Sequence, residues 1–175
     1  MTLAQLQLAP ALIDQVHDRL LAAIVDGTLA PGQRLTQESA ADMLGVSRQP
    51  VSHALQVLKR RGLLIEHGRR GLAVAPIDGK RIRDLYQVRE QLDGLAARLS
   101  AARVAHNEIS ASDIEAARVI LASGTRLDAS ASIADLIDAD VVFHSAIHGL
   151  SGNPAITEMV AEQWPHFMRS MGLVL

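Results

Sequence analysis

Leu12, Val16, Leu20, Ile24 and Val25 recur every three to four positions across residues 11–26, the spacing of one apolar helix face, and Gly27 ends the repeat. A turn at Ala30-Pro31-Gly32-Gln33 follows. Thr36, with Glu38 and Ser39, then opens a short second helix whose inward residues are Ala40, Met43 and Leu44, and Gly45 stops it. Ser47 suits an N-cap and Pro50 a first helical turn, so Val51, Ala54, Leu55 and Leu58 read as the buried stripe of a third helix reaching Arg61, with Gly62 beyond it. Leu63-Leu64-Ile65 and Leu72-Ala73-Val74 flank His67-Gly68-Arg69-Arg70-Gly71 as two strands flank a hairpin tip. The pattern predicts three helices and a wing within residues 1–75.

Residues 76–79 (Pro-Ile-Asp-Gly) combine two structure breakers with a change of periodicity, which marks a linker and an expected hinge. Beyond it the pattern is helical. Ile82, Leu85, Val88, Leu92, Leu95, Ala96 and Leu99 predict a helix over residues 80–105, roughly 39 Å long at 1.5 Å per residue. Further helices are predicted over residues 112–121, 132–150 and 154–171, separated by Asn107, Gly124-Thr125 and Gly152-Asn153. The predicted fold is mainly α: a winged helix-turn-helix, then an antiparallel helical bundle over residues 80–175.

Composition narrows the chemistry. The 175 residues are 49% apolar with four aromatics, Tyr86, Phe143, Trp164 and Phe167, so the core must be aliphatic. The absence of cysteine removes disulfides, thiolate metal sites and thiol nucleophiles, leaving His and carboxylate as the only metal donors. No apolar run reaches the length of a membrane span and no basic, then apolar leader opens the chain, which predicts a soluble cytoplasmic protein. The net charge of -2 conceals an asymmetry: +2 over residues 1–75 and -4 over residues 76–175. From Arg48 to Gly71 six basic residues face one acid, Glu66, a separation that points to two tasks.

A helix, a glycine turn and a second helix opening Val46-Ser47-Arg48-Gln49-Pro50 have the spacing of a helix-turn-helix. Its chemistry is major-groove reading. Backbone N–H groups and the Ser47 hydroxyl can bind phosphate, Arg48 can fork onto guanine O6 and N7, and Gln49 can pair with adenine. Arg69 and Arg70 on the hairpin tip suit a minor groove or phosphates, and Lys59-Arg60-Arg61 can approach phosphate if that helix end faces the backbone. Each feature also has a plainer reading: a Ser-capped helix is ordinary, and basic residues at a helix C-terminus complement its dipole.

Residues 12–75 resemble the winged helix-turn-helix of GntR-family bacterial transcription regulators. The resemblance rests on residues 27–35 (Gly-Thr-Leu-Ala-Pro-Gly-Gln-Arg-Leu), residues 44–51 (Leu-Gly-Val-Ser-Arg-Gln-Pro-Val) and Gly62-Leu63-Leu64. The helical remainder, with residues 85–93 and Asp140-Val141-Val142-Phe143-His144 ahead of Ser151-Gly152-Asn153-Pro154, resembles the FCD effector domain of the FadR-like subfamily. The resemblance implies a homodimeric repressor or activator on a palindromic operator in double-stranded DNA, with a small organic acid as effector. The expected DNA-facing set is Arg34, Thr36, Ser47, Arg48, Gln49, Pro50, Ser52, His67, Gly68, Arg69 and Arg70. Ser52-His53 stands where the family usually carries Arg-Glu, which removes one guanidinium from the reading helix.

Asp140 and His144 lie four apart on a predicted helix, a spacing that suits either a divalent metal or a plain intrahelical Asp-His hydrogen bond. The resemblance implies an Asp, this His and two later histidines holding zinc, nickel or a similar ion, with the effector carboxylate completing the shell. The FCD domain normally continues past the equivalent of Leu175, so a C-terminally shortened bundle lacking its last helices is expected. The expected site is then incomplete and its metal binding weak or absent, unless His148 or His166 substitutes. Arg89, in an apolar stretch of the first bundle helix, can pair with a ligand carboxylate or with Asp93. Two rival functions stay open: a C-terminal half that only dimerises, and a metal-dependent enzyme using Asp140 and His144. The second lacks a His-Glu-x-x-His arrangement and a neighbouring Glu as general base, so the expectation is that the protein is not an enzyme.

Overall fold

The computed structural model describes residues 10–68, 71–128 and 130–174, and the chain divides into two compact units, Met1–Ile77 and Asp78–Leu175. In the first unit, helix α1 (Pro10–Val25) turns its apolar stripe inward, with Val16, Leu20 and Ile24 buried. Strand β1 (Arg34–Leu35) leads into helix α2 (Gln37–Leu44), capped reciprocally by Thr36 and Ser39. Gly45 ends α2 in the left-handed conformation (φ 64°), which a glycine adopts without a Cβ penalty. Helix α3 (Arg48–Arg60) starts after Ser47, which holds the N-cap position without a side-chain capping bond.

Strands β2 (Leu64–His67) and β3 (Gly71–Val74) form the hairpin, and β1 adds to the far side of β3, giving an antiparallel sheet of order β1-β3-β2. The pairs are Leu35 with Leu72 and Glu66 with Leu72 across the two ladders. The two-residue β1 has no sequence period of its own; it is recruited by main-chain bonds such as Val74 N–H to the Gln33 carbonyl, 3.0 Å. Gly71 is required where it stands, since a Cβ there would meet the His67 carbonyl oxygen at 2.9 Å. The core joins Val16, Leu20, Ile24, Leu35, Ala40, Val51, Leu55, Leu58, Leu63, Leu64 and Val74, with a residue from every element of the unit.

The second unit is helical throughout: α4 (Gly79–Ala105), α5 (Ala111–Gly124), α6 (Ile133–Leu150), α7 (Pro154–Ala161) and α8 (Trp164–Val174). Asp78, placed by the sequence in the linker, caps α4 by accepting from the Lys80 and Arg81 N–H groups. Ser110, Ser132 and Asn153 cap the next three helices, Ser132 with Asp135 as a reciprocal box. The helix expected over residues 154–171 is two helices. Pro165 has no N–H for the Ala161 carbonyl and its ring crowds that position, so the chain breaks at Glu162-Gln163 and restarts at Trp164. Among the described residues no helix is long and apolar enough to cross a membrane.

Candidate DNA-reading surface and ligand site

The N-terminal turn of α3 presents Ser47, Arg48 and Gln49 to solvent, as a reading helix must. Arg48 donates to the Glu38 carboxylate of α2, an ion pair absent from the expectations above. Ser52, half-buried one turn further on, accepts a 3.0 Å hydrogen bond from Gln37 Nε2. Pro50, expected to face DNA, is instead buried as the third residue of α3. Arg34 is exposed on β1 and Thr36 is exposed with its hydroxyl committed to the α2 cap. His67 is half-buried at the end of β2, and Gly68 (φ 68°) begins the hairpin turn. Arg69 and Arg70 lie outside the described residues. Lys59 is held by Glu66 of β2 at 2.6 Å, a bridge between α3 and the hairpin that keeps the Glu66 carboxyl below the usual range through its hydrogen bond and charge.

In the helical unit, α4 packs on α6 and brings together residues far apart in sequence. Arg89 is 5% exposed, with its guanidinium carbon 4.5 Å from the Trp164 ring centroid and 5.0 Å from that of Phe167. A planar cation between aromatic faces gains from the ring quadrupoles while staying charged. The same guanidinium reaches both carboxylates, with Nε 3.4 Å from Asp93 and Nη2 3.1 Å from Asp140. Of the two expected uses the Asp93 pair is present, and the guanidinium sits on the wall of a cavity of about 330 Å³ lined by Tyr86, Arg89, Glu90, Asp93, Asp140 and His144.

Asp93 is the hub. Its Oδ1 lies 2.6 Å from His148 Nε2 and its Oδ2 3.1 Å from His144 Nδ1. His144 Nε2 lies 3.5 Å from Asp140 Oδ1, the intrahelical contact that the four-residue spacing allows. Burial pushes the Asp140 carboxyl up, but the hydrogen bonds from His144 and Arg89 and their charges outweigh it, so the group titrates below the usual carboxylate range. Asp93, His144 and His148 offer one oxygen and two nitrogens within 4.8 Å of one another, a donor set suited to a divalent transition ion with open positions. This trio differs from the expected pair: it shares His144, adds Asp93 and the buried His148, and leaves Asp140 beside it on Arg89. His166 is buried on α8 and is not part of the trio.

Sequence reading did not single out Asp93 as a metal donor or Glu38 as a neighbour of Arg48. Each contact depends on packing between two helices, whereas the four-residue steps from Arg89 to Asp93 and from Asp140 to His144 were visible along the chain.

Both units resemble known protein families. Residues 12–74 match the family described as bacterial regulatory proteins, gntR family, and residues 84–175 match the FCD domain. The chain is 33% identical over 85 residues to an uncharacterized HTH-type transcriptional regulator, YdhC, of Bacillus subtilis, covering 49% of this chain and 38% of that protein. It is 29% identical over 132 residues to the Nta operon transcriptional regulator of Aminobacter aminovorans, covering 74% and 59%. Among solved structures, Escherichia coli McbR/YncC superposes with a TM-score of 0.73 at 22% identity, covering 91% of this chain and 73% of that one. The chain thus spans well under two thirds of the length of these two curated relatives.

Proposed function

The chain belongs to the GntR family of bacterial regulatory proteins and carries an FCD domain, and from that premise we propose a homodimeric regulator whose hold on a palindromic operator changes when a ligand enters the helical unit. The observation that carries the first half is the exposed Arg48-Gln49 pair on the first turn of α3, mounted on a head whose core is closed beneath it. A two-fold pair of such heads reads two half-sites about one helical turn apart. Exposed apolar residues on α5, Val119 and Leu121, support association between copies. The relatives are transcriptional regulators, and no bond is made or broken in the proposed activity.

The ligand site is the cavity over Asp93, Arg89, Asp140 and His144. Arg89 is already engaged by two carboxylates, so an organic acid meets a wall richer in acid than in base. Asp93, His144 and His148 would hold a divalent ion such as zinc or nickel, which when bound supplies the positive charge an acid's carboxylate needs. Arg89 and Trp164 keep Asp93 and Asp140 in place, and His148 is oriented by Asp93. An effector acts only if it favours one arrangement of the two heads over the other.

Selection of bound duplexes from a randomised pool with the full chain tests the reading of DNA: enrichment of an inverted repeat is expected, and an unenriched pool contradicts it. Calorimetric titration with zinc chloride tests the ligand half. The expected result is saturable binding lost in Asp93→Asn and His148→Gln; saturation unchanged in both variants contradicts the assigned donors. A C-terminal half serving only to dimerise is the second reading. It is favoured if zinc and organic acids leave DNA affinity unchanged while the dimer persists.

A further inference from the structure

Resting on the DNA-reading assignment above, we propose that Glu38 is a specificity-determining residue: its carboxylate orients the Arg48 guanidinium toward a base edge and makes the reading surface poor at holding bare phosphate. The two side chains pair across α2 and α3, each 66% exposed. An ion pair this wet contributes little to folding, so the fold does not require it. Its position is nonetheless fixed from both sides. The Thr36–Ser39 capping box sets the first turn of α2, where Glu38 stands, and the Gln37 to Ser52 hydrogen bond ties that turn to α3 one turn beyond Arg48. Glu38 and Arg48 are therefore presented together, at the helix end that enters the groove.

The chemistry of the pair discriminates among what it meets. Arg48 gives one nitrogen, Nη2, to Glu38, and the rest of its fork remains for acceptors. Guanine offers two acceptors in the major groove, O6 and N7, and cytosine offers the N4 donor that a carboxylate accepts. A G·C edge therefore satisfies both side chains. A phosphate satisfies only Arg48 and is repelled by Glu38, and the thymine O4 acceptor is likewise repelled. An acid in this place weakens binding to unrelated DNA and widens the gap between the right sequence and the wrong one.

The test uses the full chain, the duplex it enriches from a randomised pool, and a scrambled duplex of the same composition. Affinities for both are measured by anisotropy over a salt series for the parent, Glu38→Gln, Glu38→Ala and Arg48→Ala, with thermal melting to establish that each variant is folded. Both Glu38 variants are expected to bind the scrambled duplex about 3- to 10-fold tighter at low salt, with a salt slope steeper by about 1, as for one added phosphate contact. Their preference for the selected duplex is expected to fall at least about 10-fold, the order of one lost base contact. Arg48→Ala is expected to lose the selected duplex without gaining the scrambled one. If both Glu38 variants keep the parent's preference and salt slope, the proposal is overturned while the DNA-reading assignment stands. A parent that enriches no sequence overturns the assignment itself, and this proposal with it.

Discussion

In the N-terminal unit the side chains withdrawn from solvent are aliphatic, Leu20, Ile24, Leu35, Leu55, Leu58 and Leu64 among them, and the charged groups stand outside on α2, α3 and the wing. In the helical unit Arg89, His148, Ser151, His166, Arg169 and Ser170 are buried, beside a smaller apolar set that includes Ala96, Ile156, Val160 and Phe167. Its α5 has no buried residue, and Val88, Val119, Leu121 and Met159 face solvent. The first arrangement keeps the core apart from the proposed DNA-facing side chains: the core closes by non-directional burial and Arg48 and Gln49 lie exposed on its surface. The second joins them, because the groups that hold α4 to α6 are also the ones that can bind a ligand. A ligand that re-partners Asp93 therefore acts on the packing of the unit as well as on its pocket.

The contrast can be broken in order of expected effect. Leu58→Ala removes a fully buried side chain from the aliphatic core and is expected to cost about 2–5 kcal/mol, a large share of a small domain's stability. Denaturant unfolding followed by circular dichroism should show the loss in one transition, with helix from the second unit retained. Arg89→Met leaves Asp93 and Asp140 without their cation. The expected cost is about 2–3 kcal/mol, below the figure for a fully buried pair because both carboxylates keep some solvent. The same variant carries a pH signature. The lowered Asp140 carboxyl contributes stability that is present above the ordinary carboxylate value and lost as pH falls through its lowered one. Without Arg89 that acid-labile share should shrink, which unfolding curves across pH 2–5 would show as a flatter acid limb.

Arg48→Ala, on the exposed surface of the first unit, should leave the melting temperature within about a degree or two while costing about 1–3 kcal/mol of sequence-specific binding, measured by anisotropy. Ser132→Ala removes the reciprocal cap of α6 and should cost about 1 kcal/mol of the helical unit's stability with no direct effect on DNA affinity, as differential scanning calorimetry and anisotropy together would establish.

What was legible in the sequence follows the same division. The three helices and the hairpin of the first unit were legible in apolar periodicity and glycines, although Leu12 and Met43, read as inward, are exposed, and Ser47, read as a cap, makes no side-chain capping bond. β1 escaped because two residues carry no period and the strand exists only through its pairing with β3. In the helical unit the long helices were legible, but the break between α7 and α8 was hidden by an apolar stripe that continues across Pro165. The site was half legible. Arg89, Asp140 and His144 are visible from spacing and resemblance, whereas Asp93 and the buried His148 become its centre only when α4 lies on α6. Pro50 shows the converse: a residue inside a recognisable motif that is withdrawn from solvent.

Sequence-specific DNA reading by the N-terminal head is the property on which the proposed function stands. The most direct measurement is anisotropy of the full chain on the duplex it selects and on a scrambled duplex of equal composition, at two salt concentrations. Preference for the selected duplex by about 10³-fold or more, with the scrambled complex dissolving as salt rises, is the predicted result. Equal affinity for both duplexes at every salt concentration would contradict it, leaving the exposed Arg48 and Gln49 as ordinary surface side chains.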